Sequence, residues 1–324
     1  MDLRTVRIVY MGTPDFAIGP LRALARANAH LAGVVTAPDK PAGRGQKIRK
    51  SPVKVFTEKE LDCPVYQPHN LKDPLFHERL KILEADLFVV VAFRMLPEAV
   101  WSIPARGTFN LHASLLPQYR GAAPINHVIM NGENETGVTT FLIDHQIDTG
   151  NILLREKRSI GKDETAGELH DRLMEAGSRL VVQTVEGLVS GTIHPKPQSA
   201  FEDSSGELKK APKLQREDRR IDWNEPAASI HNRVRGLSPY PAAFTLLKDP
   251  AGTEQELKIY RSHPVSQPHD LLPGTIESDG KTELTVAANP GKIKILELQL
   301  AGKKRMKTED FLRGFQQSDR YLAV

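Results

Sequence analysis

Apolar residues in the first half of the chain follow two repeating patterns. Short, nearly all-apolar runs, RIVYMG (7–12), LAGVVT (31–36), LFVVVAF (87–93) and GTFNLH (107–112), are rich in β-branched and aromatic residues. Between them, DFAIGPLRALARANA (15–29) and PLFHERLKILEA (74–85) place apolar residues three and four apart. The first pattern predicts strands buried on both faces, the second amphipathic helices. Their order predicts an α/β fold: an open, mostly parallel, Rossmann-like sheet with helices on both faces. TAGELHDRLMEAGSRLVVQTVEGLVSG (165–191) opens with Thr165 and Glu168 at capping-box spacing and closes at Gly191, which predicts one long helix.

The pattern then breaks. HPKPQSAFEDSSGELKKAPKL (194–214) has no period and is rich in proline, serine and charge. It reads as the exit from a first domain followed by a linker. Beyond it, IDWNEPAASIHNRVRGL predicts a strand edge and a short helix. FTLLK, LKIYRS, TELTV and KIKILEL predict short strands separated by turns, hence a small OB-like β-barrel. The expected organisation is a first domain over 1–204, a linker over 205–215 and a C-terminal barrel domain over 216–324.

Composition narrows the field. The 324 residues suffice for two domains with real cores. The single cysteine, Cys63, cannot form an internal disulfide or supply a zinc site alone. No apolar run reaches membrane-spanning length, and MDLRTVRIVYMG reads as a first strand rather than a signal peptide. A cytoplasmic protein without membrane contact is expected. Net charge is +4, placed unevenly: Lys209 to the end holds 20 Lys and Arg against 15 Asp and Glu, the remainder 24 against 25. A basic C-terminal third permits a polyanionic partner.

A sheet of this type invites a nucleotide, but the first strand-to-helix turn, MGTPDFAIG, has Pro14 where a second glycine would admit a pyrophosphate. No phosphate-loop motif occurs. The chemistry concentrates instead in FNLHASLLPQYRGAAP (109–124). Asn110 and His112 are two residues apart, so on a strand they share a face. Downstream, IDHQIDTG (143–150) sets Asp144 and Asp148 in a loop between two apolar strands. Asn, His and Asp at neighbouring strand ends can converge on one reacting atom. Ser114 lacks a nucleophile-elbow context. A trio without metal or covalent nucleophile suits acyl transfer between two bound substrates: Asn and protonated His stabilise an oxyanion, and a carboxylate orients the His and helps remove a proton. A metal site of His112, Asp144 and Asp148 is the rival; it lacks a second histidine at metal spacing.

These motifs resemble the formyltetrahydrofolate-dependent formyltransferases. FNLHASLLPQYRGAAP and IDHQIDTG carry the resemblance, and YMGTPDFA, APDKPAGRGQK, SPVK, NGENETGVT, IHNRVRGLSPYPAAFT and AGKKRM extend it over essentially the whole chain. The resemblance implies Asn110, His112 and Asp148 as the catalytic set. It implies a folate site at Ser114, Leu115, Leu116 and Pro117, bordered by Val91, Ala92 and Asp144. The implied formyl donor is 10-formyltetrahydrofolate, with no metal. The acceptor implied is methionyl initiator tRNA, and a monomer is expected. Arg44 falls in the family's basic loop, here DKPAGRGQKIRKSPVK (39–54), which also carries Lys47. Lys209, Lys210 and Lys213, with Lys304 and Arg305, are further candidates to meet tRNA phosphates. An amino-sugar acceptor, hydrolysis of the donor, and a tRNA-binding protein without catalysis remain as alternatives. FRMLPEAV (93–100) and His127 depart from the family pattern.

Overall fold

The computed structural model describes residues 3–42, 47–202, 207–315 and 320–324. Two compact units emerge. One comprises Met1–Gly121, Glu135–Ser159 and His170–Lys210, the other Ala122–Asn134, Ile160–Leu169 and Ala211–Val324. The second unit thus draws on three stretches of chain, two of which lie inside the range 1–204.

The first unit is built on seven strands: β1 (Arg7–Gly12), β2 (His30–Val35), β3 (Val65–Tyr66), β4 (Leu87–Val91), β5 (Thr108–His112), β6 (Glu135–Leu142) and β7 (Ile152–Ser159). Their order is β7-β6-β5-β4-β1-β2-β3. β1 to β5 are mutually parallel, β6 runs antiparallel to β5, and the edge strand β7 runs antiparallel to β6. The order reverses between β1 and β4, where Gly12 pairs with Val91, so their carboxyl ends mark the topological switch point. In chain order the helices are α1 (Ile18–Arg26), α2 (Pro52–Glu60), α3 (Pro74–Ile82), α4 (Glu98–Trp101), α5 (Pro124–Met130), α6 (Ala166–Ser190), α7 (Ala227–Leu237) and α8 (Thr308–Gly314), and the mostly apolar runs are strands because both faces of the sheet are covered. On one face, Val9, Met11, Phe88 and Val90 pack with Phe76 and Leu80 of α3 (Pro74–Ile82) and Val100 of α4 (Glu98–Trp101). On the other, α6 (Ala166–Ser190) lies so close that a Cβ at Gly177 would sit 2.6 Å from Leu111 of β5. The capping box that opens α6 is formed: Thr165 N donates to Glu168 Oε2 at 2.8 Å, and Glu168 N to Thr165 Oγ1 at 3.3 Å.

The second unit contains an antiparallel sheet of β8 (Ala243–Lys248), β9 (Glu254–Val265), β10 (Ile276–Ser278), β11 (Leu284–Ala287), β12 (Lys292–Leu300) and β13 (Leu322–Ala323), in the order β10-β11-β12-β9-β8-β13. A Thr275–Leu322 bridge draws the two edges together into a barrel. Gly274 permits this closure: its φ is +86°, and a Cβ there would lie 2.2 Å from Ala323 O. Ile230, Val234 and Leu237 of α7 (Ala227–Leu237) share the barrel core with Ile259, Val286, Ile293 and Leu298.

His231 of α7 is buried in this unit, with Nδ1 3.0 Å from Ser262 Oγ and Nε2 3.2 Å from Asp163 Oδ1. Burial lowers its pKa below 6.5 and Arg235 adds to the effect, which Asp163 partly opposes. A histidine held neutral contributes stability that is complete above its unfolded pKa and is lost as pH falls through the lower folded value. Thermal unfolding at pH 7.5 and 5.5 tests this. The melting temperature of the wild type falls further on acidification than that of His231→Gln, whose side chain does not titrate.

Candidate active site

Asn110 and His112 project from one face of β5. Asn110 is level with Val90 of β4, which is level with Met11 of β1, so this is the face covered by α3 and α4. Leu111, between them, points to α6. Alternation along one strand therefore separates the polar site from helix packing.

Asp148 reaches the same face by a route the strand-end picture does not contain. Because β6 is antiparallel to β5, it ends at Leu142 opposite Phe109, and Ile143 N bonds to Thr108 O at the start of β5. The hairpin re-forms where Leu142 N meets Asn151 O. The loop 143–150 folds back roughly 10 Å along β5, three residues of strand rise, to bring Asp148 to His112. Its closure needs Gly150, where a Cβ would lie 1.7 Å from Leu142 O. Asp144 braces the turn: its Oδ1 accepts from Gln146 N at 3.0 Å and Thr149 Oγ1 at 2.7 Å. The carboxylate of Asp144 is thus engaged within its own loop. Among the described residues, no group of three His, Cys, Asp or Glu is arranged to hold a metal ion.

His112 is only 6% exposed. Its Nε2 lies 2.9 Å from Tyr119 O, a carbonyl that can only accept, so Nε2 carries a proton and donates. Nδ1 faces Asp148 Oδ2 at 3.8 Å. Phe141 of β6 stands edge-on to the ring, centroids 6.5 Å apart. Asp148 Oδ2 also accepts from Gly121 N at 2.9 Å. Asp148 and Tyr119 both adopt left-handed backbone, φ 56° and 61°. Asn110 Oδ1 is buried without a hydrogen-bond partner. Such an oxygen costs about 1–3 kcal/mol until a donor reaches it.

The turn behind His112 is fixed from inside. Ser114 Oγ donates to Gln118 O at 2.6 Å. Thr139 Oγ1 of β6 donates to Ser114 O at 2.7 Å and accepts from Leu116 N at 3.2 Å. Leu116 is fully buried with Phe141 and Ile152, and Pro117 follows a cis peptide. Leu115 is half-buried over Gly137, where a Cβ would lie 2.5 Å from it. Ser114 and Leu116 thus shape the turn from within rather than presenting side chains at its surface. Val91 is buried at the end of β4, and Ala92 after it is exposed with φ 47°. In the departing FRMLP segment, Arg94 donates to Pro68 O and His69 O at 2.8 and 3.2 Å.

The basic candidates behave differently from one another. Arg44 lies outside the described residues, as does the side chain of Lys47. Of their loop's other cations, Lys54 bonds to Asp39 and Gln67 at 2.7 and 2.6 Å, and Lys50 pairs with Glu58 at 2.7 Å. Lys209, Lys210, Lys213 and Lys304 are exposed. The backbone of Lys209 is bonded to Tyr119 N and Gln118 Oε1, tying it to the turn after His112. Arg305 is committed to Glu297 by two bonds, at 2.7 and 2.5 Å, and stacks on Tyr260.

Gln198, from the segment read as a domain exit, lies within the site. It is 5% exposed. Its Nε2 donates to Asp148 O at 2.8 Å and Gly150 O at 3.0 Å. Pro195 and Pro197 beside it were the available signal for a chain held extended, and a Lys196–Ile152 bridge fastens it to β7.

Asn110 and His112 on one face of β5, with Asp148 brought to His112 by the loop after β6, set an amide, an imidazole and a carboxylate close together. The chain is a member of the formyl transferase family. The family model "Formyl transferase" matches residues 6–185, and "Formyl transferase, C-terminal domain" matches residues 213–316. A methionyl-tRNA formyltransferase of Bacteroides thetaiotaomicron is 49% identical over 323 residues, 99% of each chain. That of Flavobacterium johnsoniae is 47% identical over 317 residues, 98% of each. Among solved structures, a sugar 3N-formyl transferase, WlaRD, with dTDP and 5-N-formyl-THF shares the fold. Its TM-score is 0.61 at 19% identity, over 92% of this chain and 99% of that one.

Proposed function

We propose that this enzyme transfers the formyl group of 10-formyltetrahydrofolate to the α-amino group of methionyl initiator tRNA, as a cytoplasmic monomer. The observation that carries the chemistry is the open Asn110 Oδ1 beside the His112–Asp148 pair. The acceptor is supported by relatives at 46–49% identity over nearly full length, each named methionyl-tRNA formyltransferase.

The donor supplies a formyl group on nitrogen. Asn110 receives an N–H of the incoming amine on Oδ1, and its Nδ2 donates toward the formyl oxygen as negative charge builds there. Since Nε2 of His112 is committed to Tyr119 O, Nδ1 is the nitrogen available to the reaction. Nδ1 and the Asp148 carboxylate, which Gly121 N steadies by donating to Oδ2, take up the proton the amine loses. As the bond between the formyl carbon and the folate nitrogen breaks, that proton passes to the leaving nitrogen and tetrahydrofolate is released. The Ser114–Pro117 turn, Val91, Ala92 and the Asp144 loop border the folate. The region 1–204 acts as the catalytic part and 216–324 holds the tRNA backbone. Lys210, Lys213 and Lys304 oppose phosphates, with Arg44 and Lys47 toward the acceptor end.

The test is formyl transfer with purified protein, 10-formyltetrahydrofolate and methionyl initiator tRNA. Methionyl elongator tRNA, free methionine and a dTDP-amino sugar serve as controls. Formylation of the initiator alone is expected. Transfer to the amino sugar, or donor hydrolysis without transfer, would refute the proposal.

A further inference from the structure

Gln198 uses every hydrogen-bonding site its amide possesses. Both N–H groups go to Asp148 O and Gly150 O. Its Oε1 accepts from Arg120 Nε at 3.1 Å and Nη2 at 2.6 Å. Arg120 stands between the two residues that hold the His112–Asp148 pair: Tyr119, whose carbonyl accepts a hydrogen bond from His112 Nε2, and Gly121, whose N–H donates to Asp148. One buried amide therefore grips the catalytic loop on one side and the segment 119–121 on the other. Tyr119 and Asp148, in left-handed backbone, are the positions that need such support, because non-glycine residues hold that conformation only when their surroundings impose it.

From this we infer that Gln198 is a positioning residue. It sets the distance between Asp148 and His112 without touching substrate. The inference rests on the formyl-transfer reading for its kinetic consequence, and on geometry alone for its structural one. Gln198 is anchored independently of both loops, since Lys196 N and O pair with Ile152 at 2.9 and 2.8 Å.

Gln198→Glu tests the donors. It keeps the oxygen facing Arg120 and removes both N–H groups. Turnover is expected to fall about 100-fold, as for a small displacement of a catalytic group, with KM for donor and tRNA within about threefold. Hydrogen–deuterium exchange should quicken over residues 119–121 and 144–150, with the barrel unchanged. Should Gln198→Glu fail to fold, Gln198→Met, similar in length and uncharged, carries the same two readouts. Exchange in both segments at the wild-type rate overturns the inference whatever the activity. So does a kinetic loss confined to KM or to the folded fraction. A wild-type enzyme that fails to formylate methionyl-tRNA would instead refute the proposed reaction, while the exchange measurement still decides the role of Gln198.

Discussion

His112→Ala lowers formyl transfer by roughly 100- to 10,000-fold, the range lost with a general acid or base. Nε2 of the ring is bonded to Tyr119 O and Nδ1 faces Asp148 at 3.8 Å. Removing the imidazole leaves the Tyr119 carbonyl without its donor and the carboxylate without the group that shares its proton. The ring's contacts are with Tyr119 O, Asp148 and Phe141 and with no lysine side chain, so KM for the tRNA should stay near the wild-type value. Steady-state kinetics against both substrates separate the two parameters. Near-normal turnover would remove His112 from the reaction. The ring also packs against Phe141, so a lower melting temperature is expected as well, and activity is compared at equal folded fraction.

The second large effect is on stability. Gly150→Ala places a methyl 1.7 Å from Leu142 O and 2.9 Å from its carbonyl carbon. Both are backbone atoms at the base of the β6–β7 hairpin, so neither a rotamer change nor a flexible side chain can yield. Overpacking of this kind costs about 3 kcal/mol. For a unit of this size that corresponds to roughly 6–12 °C in melting temperature. Because Gly150 O also receives Gln198 Nε2, the variant should lose turnover beyond what its unfolding explains. A melting temperature within about 1 °C of wild type would mean the loop can close by another path.

The strands that form the first sheet were legible because their burial is written in local pattern. RIVYMG and LFVVV are apolar on both faces and lie where helices cover both faces, and TFNLH alternates Phe109 and Leu111 with Thr108, Asn110 and His112. The Thr165–Glu168 cap was legible for the same reason, since both halves of the contact lie within one turn. Asn110 and His112 could be placed on one face by alternation alone. The approach of Asp148 could not. It depends on β6 running antiparallel to β5 and on a loop folding back across the sheet, and neither has a local signature. Gln198 was hidden more completely. Its partners, Asp148 and Arg120, are 50 and 78 positions away, and its surroundings have the composition of a linker. The short strands Ile276–Ser278 and Leu322–Ala323 escaped for a related reason: they are too brief to show a period and exist because the barrel closes on them.

The hold of Gln198 on Asp148 also has a meaning for the order in which the protein is made. The 50 positions between the two residues take roughly 2.5–10 s to add at 5–20 residues per second. During that interval a nascent chain already owns its Asn, His and Asp, yet the loop carrying Asp148 has nothing behind it. The bonds from Gln198 to Asp148 O and Gly150 O can form only when a stretch resembling a linker has left the ribosome, so a release that truncates the chain before Gln198 yields a sheet whose 143–150 loop lacks that hold.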